Sequence, residues 1–155
     1  MKVFTLTANE NWFPERYAAE YSKYSRHEVS TDNPYNSDAI WMIASYNWQC
    51  VDFNFLRQTP VVCSIHHIVP EKLNQQDFLE RDQIIDLYHV PCKKTYNQIK
   101  DLTDKPIEII GYWLNPENWF PLDRQRCKEK LNLPNGNFFI GSFQRDTEGR
   151  DLKTP

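Results

Sequence analysis

Glycine is scarce in this sequence and unevenly placed. The chain has four, Gly111, Gly136, Gly141 and Gly149, and the first 110 residues have none. A loop that cradles a phosphate needs the backbone to approach the anion closely, which usually takes glycine. Ala8-Asn9-Glu10-Asn11-Trp12, after the first predicted strand, is therefore neither a dinucleotide fingerprint nor a P-loop. Any nucleotide site is expected late in the chain. Metal spacing is missing too. Cys50, Cys63, Cys92 and Cys127 form no CxxC pair and the four histidines no HExxH, so no metal site is expected. No apolar run approaches the ~20 residues that span a bilayer, and residues 1–6 lack a signal-peptide core. There is no long basic run and the net charge is -3, which argues against nucleic acid as a partner. No GxSxG supports a serine hydrolase, and there are no repeats or low-complexity segments.

What is present is globular. Hydrophobic residues make up 40% and charged residues 25% of 155, enough to bury a core without disulfide or metal staples. The isolated cysteines, Cys63 in Val61-Val62-Cys63-Ser64-Ile65 most clearly, read as reduced core thiols of a cytosolic protein. A peripheral contact at the inner membrane surface is left open.

Strand and helix signals alternate. Strands are expected over residues 2–7, 27–31, 38–45, 61–65, 84–90, 107–110 and 138–143, with 107–110 short and buried. Helices are expected over 15–23, behind a first-turn Pro14, and over 52–57, 92–102 and 122–131. Residues 76–81 read as a loop or short helix, and 113–121 as an aromatic, proline-rich connector. The strands are continuous apolar runs, which predicts an α/β fold: a Rossmann-like parallel sheet with helices on both faces. Ligand chemistry is then expected at the carboxyl ends of the strands.

Three polar exits follow predicted strands. Arg145, after Phe139-Ile140-Gly141-Ser142-Phe143, suits bidentate phosphate contact, or is a solvated arginine in a turn. His66-His67 follows the strongest strand and reads either as functional or as one packed and one solvated ring. In the first loop, Trp12 has the chemistry to stack on a sugar. Trp113 and Trp119 read as core or hinge packing.

Ile109-Ile110-Gly111-Tyr112-Trp113-Leu114-Asn115-Pro116-Glu117-Asn118-Trp119-Phe120-Pro121 resembles the interdomain hinge of glycosyltransferase family 4, with Trp119 and Pro121 at its aromatic and proline. Residues 126–134 and 139–143 resemble the helix and first strand that open that family's second domain. Pro60-Val61-Val62-Cys63-Ser64-Ile65-His66-His67 resembles its strand ending in histidine and aspartate, with His67 at the aspartate position. Tyr88-His89-Val90-Pro91-Cys92 resembles its later strand-to-helix turn. The resemblance covers most of residues 60–145.

It implies the GT-B architecture: an acceptor-side Rossmann-like domain with hinge over residues 1–121, and the start of a donor-binding domain over 122–155. The implied activity is a retaining, metal-independent, hexosyltransferase-type transfer from a nucleotide-diphosphate sugar to a glycan or lipid-linked saccharide, as in polysaccharide biosynthesis, with no cofactor. His66 and His67 take the catalytic positions. Gly141, Arg145 and Lys153 take the donor-phosphate positions, and Asn9, Asn11 and Trp12 the acceptor loop. The chain is expected to be inactive alone, with self-association through 138–143 as a hazard. A non-catalytic Rossmann- or flavodoxin-like regulatory module is the alternative reading, and a hydrolase or epimerase of the same architecture a third.

Overall fold

The computed structural model describes residues 1–140. The chain divides into two compact units, Met1–Asn115 and Pro116–Pro155. The division lies upstream of the 121/122 boundary expected from sequence, because the connector begins the second unit.

The first unit is built on six parallel strands: β1 (Lys2–Leu6), β2 (Glu28–Ser30), β3 (Ala39–Met42), β4 (Val61–Ser64), β5 (Leu87–Val90) and β6 (Ile107–Ile109). Their spatial order is β2-β1-β3-β4-β5-β6. This is a doubly wound α/β sheet whose switch point lies between β1 and β3. The crossovers carry α1 (Phe13–Tyr24), α2 (Phe53–Leu56), α3 (Gln75–Asp82) and α4 (Lys93–Ile99).

Register and the two-residue alternation of strands separate two different faces. Phe4, Leu6, Ile40, Met42, Val61, Cys63, Tyr88 and Val90 point one way, packing with Leu56, Phe78 and Ile99 of α2, α3 and α4. Thr5, Trp41, Ser64 and His89 point the other way, and Tyr17 and Ala18 of α1 cover that side with Ile43 and Trp113. The first face is wholly apolar, whereas the second mixes Val3 and Val62 with Thr5, Trp41, Ser64 and His89, so the apolar runs expected from sequence are interrupted on that side.

Several element limits differ from expectation. The third strand ends at Met42, short of the expected Ser45, which instead opens a 3-10 turn over Ser45–Cys50. β5 begins only at Leu87; Ile84 and Ile85 are buried in the turn before it. Gln75–Asp82 is a full helix, capped by the Asn74 side chain accepting the Asp77 N–H. β6 is not buried: Ile109 is 44% exposed, because an edge strand has a neighbour on one side only.

Within the second unit, α5 (Arg124–Lys130) is capped by Asp123, whose carboxylate accepts the Arg126 N–H at 2.7 Å. Gly136 turns the chain at φ +86°, a conformation that favours glycine. Residues 138–140 carry no strand and are exposed, contrary to the strand expected there; residues 141–143 lie outside the described residues. Among the described residues no helix is long and apolar enough to cross a membrane.

Candidate functional site

The carboxyl ends of the strands gather most of the describable candidates. At the switch point the Leu6 carbonyl accepts from both the Ile43 and Ala44 N–H groups at 3.0 Å. Asn47 Nδ2 donates to the Thr7 carbonyl at 3.2 Å. These bonds tie the loops leaving β1 and β3 together.

The first loop solves without glycine a problem that usually takes glycine. Asn9 and Asn11 adopt φ of 57° and 51°, the left-handed region that asparagine tolerates better than most residues. The turn aims backbone N–H groups inward, and the carboxylate of Glu15 occupies them. It accepts from Ala8 (2.8 Å), Asn9 (2.7 Å) and Trp12 (2.9 Å). Burial alone would raise this carboxyl, but those amides and its own N–H outweigh it and hold Glu15 below the usual range. Two shallow clefts flank this start of α1. Asn11, Trp12 and Arg16 line one of about 710 Å³; Thr7, Asn9 and Thr31 line one of about 330 Å³. The Trp12 ring is exposed.

His66 leaves β4 on the face covered by α1. Its Nε2 lies 2.9 Å from the Ile43 carbonyl oxygen and its Nδ1 2.9 Å from the Tyr112 hydroxyl. A carbonyl can only accept, so Nε2 carries the hydrogen, and Nδ1 of the neutral ring receives the Tyr112 O–H. Phe13 meets both partners edge-on, His66 at 5.0 Å and Tyr112 at 5.2 Å. Burial pushes the His66 imidazole below its ordinary value. The Ile43 carbonyl offsets this in part, and His89 and His67 add to it. Burial, then Cys92, pushes the Tyr112 phenol up. His67, the next residue, is exposed.

Deeper on the same face a second histidine is buried. Trp41 Nε1 donates to Ser64 Oγ (2.9 Å), Ser64 Oγ lies 2.8 Å from His89 Nδ1, and His89 Nε2 lies 2.8 Å from the Ile110 carbonyl. The same logic orders this chain: Trp41 to Ser64 to His89, with Nε2–H given to Ile110. Sequence reading missed His89, Ser64, Tyr112 and Glu15 as positioned groups. One signal was available, a lone histidine and serine in otherwise apolar strands.

Cys63 is fully buried, as expected, and burial pushes its thiol up to about 12. Cys50 and Cys92 are exposed and Cys127 partly so, which corrects the reading of all four as core thiols. The reason is position: Cys92 stands at the turn into α4, with its sulfur 3.6 Å from Thr95 Oγ1. Of the aromatic candidates, Trp113 packs as expected, while Trp119 is exposed. Gly141, Arg145 and Lys153 lie outside the described residues. Among the described residues no group of three or more His, Cys, Asp or Glu side chains is placed to hold a metal. No family model, curated protein or solved structure matches the chain.

Proposed function

We propose that this chain carries the acceptor-side domain of a sugar-nucleotide-dependent glycosyltransferase of GT-B architecture, followed by residues of the donor side. The observation that supports it most is His66. It stands at the carboxyl end of a central parallel strand, on the α1 face, in a neutral form with its basic nitrogen turned to a half-exposed phenol. Asn9, Asn11 and Trp12, in the clefts beside α1, take the acceptor saccharide, with the exposed indole as a stacking face. Gly141, Arg145 and Lys153 take the donor diphosphate, whose leaving charge a guanidinium and an ammonium stabilise.

Saturation-transfer NMR with simple saccharides and with nucleoside-diphosphate sugars tests this. Sugar protons are expected to receive saturation from the protein, and Trp12→Ala is expected to remove it for the saccharides. Absence of transfer to every sugar at millimolar concentration would overturn the proposal. One observation favours a non-catalytic binding module instead: both ring nitrogens of His66 are satisfied inside the chain. In that case His66→Ala weakens folding and leaves sugar contacts untouched.

A further inference from the structure

We infer that Tyr112, rather than His66, is the member of this pair that meets a substrate hydroxyl, and that His66 stands behind it as the proton acceptor. The Ile43 carbonyl, 2.9 Å from Nε2, fixes which nitrogen of His66 is protonated and leaves Nδ1 as the base. Nδ1 is already engaged, at 2.9 Å, by the Tyr112 hydroxyl. A substrate therefore finds no open lone pair on His66. It finds the phenol oxygen, on a residue 46% exposed, which after donating its own hydrogen still has lone pairs with which to accept one. Carbonyl, imidazole and phenol thus form a one-directional chain, with the base oriented from behind and its reactive partner in front. Phe13, edge-on to both rings, holds the pair in place.

The proton relay balances between the substrate hydroxyl and the two side chains, and the donor sugar supplies the electrophile. The substrate hydroxyl passes its proton to Tyr112 Oη while Oη passes its own to His66 Nδ1. The substrate oxygen keeps the electron pair. In the glycosyltransferase reading it bonds to the anomeric carbon of the donor sugar as that carbon's bond to the nucleoside diphosphate breaks and the diphosphate leaves with the bonding pair. Tyr112 is regenerated, and the imidazolium keeps its Nε2–H on the Ile43 carbonyl. The inference rests on the glycosyltransferase reading only in naming that hydroxyl as an acceptor sugar's and the electrophile as the donor's.

The test needs no sugar. A small aryl sulfonyl fluoride transfers its sulfonyl group to a phenol oxygen as fluoride leaves and a nearby base takes the proton. Peptide mapping is expected to show Tyr112 labelled about tenfold or more faster than Tyr35 and Tyr46, which are more exposed at 58% each. His66→Asn is expected to bring Tyr112 down to their rate while theirs stays put. Should that variant not fold, the ring nitrogens of the unaltered protein decide: long-range proton–nitrogen spectra are expected to show His66 as the Nε2–H tautomer. An Nδ1–H tautomer, or Tyr112 labelling no faster than Tyr35 and Tyr46, would overturn the inference. Sugar binding that fails while Tyr112 proves activated would overturn the glycosyltransferase reading and leave the relay standing.

Discussion

Tyr17 and Trp113 lie ring on ring, their centroids 3.6 Å apart and their planes 9° from parallel. Trp113 also donates its indole N–H to Glu20 Oε2 at 2.8 Å. One stack thus joins the segment after β6 to α1. Trp113→Ala is expected to destabilise the first unit by about 2–4 kcal/mol, since it removes both the contact area and a partner of a buried carboxylate. Trp113→Phe keeps the stack and is expected to cost about 1 kcal/mol. Urea unfolding with an unchanged m-value checks both.

Ser64 connects the half-buried Trp41 to the buried His89, accepting from the indole and donating to the imidazole. Ser64→Ala fits the space but strands an indole N–H and an imidazole nitrogen. The expected loss is about 2–4 kcal/mol, at the upper end for so small a truncation. A change under half a kilocalorie in urea unfolding would mean that the Trp41–Ser64–His89 chain does not carry stability.

Glu15 fills the inward-facing amides of the first loop with its own carboxylate. The loop amides hold its carboxyl below the usual carboxylate range in the folded state, so its ionised form contributes stability that is present above the unfolded value and lost as pH falls through the lower folded value. Glu15→Gln is expected to cost about 1–2 kcal/mol at neutral pH. The gap between variant and parent should shrink as acid unfolding curves are taken from pH 5 towards pH 3. A gap that widens in acid would contradict this.

The four cysteines should separate cleanly under alkylation. Cys92 is exposed and its thiol is lowered, chiefly by backbone and side-chain hydrogen bonding from Thr95. Cys63 is buried and raised. Iodoacetamide with peptide mapping is expected to modify Cys92 first and Cys63 only on unfolding. Early modification of Cys63 would place that strand differently.

The parallel sheet was legible in the sequence because short apolar runs such as Val61-Val62-Cys63 fall between helical stretches at the spacing of βαβ units. The chemistry of the sheet's second face was not. Trp41, Ser64 and His89 read as ordinary members of three separate strand segments, and become one chain only when register sets β3, β4 and β5 side by side. The first loop misled in a different way. The absence of glycine argued against a phosphate loop, yet Asn9 and Asn11 adopt the left-handed backbone that glycine usually supplies, and Glu15 places a carboxylate on the loop's amides from within the chain. His66 was legible as a strand-end polar residue. Its partner Tyr112 lies 46 residues away, and only the pairing of β4 with β5 and β5 with β6 brings the two together.

The central claim is that the carboxyl edge of this sheet handles sugar. The most direct measurement is chemical-shift mapping of the isotope-labelled protein titrated with saccharides and nucleoside-diphosphate sugars, read at the Trp12 indole, the His66 ring and the Tyr112 amide. The account predicts saturable shifts at these three groups together, with the Trp119 indole unmoved. Sugars that shift none of the three, or that shift only surfaces away from them, would contradict it.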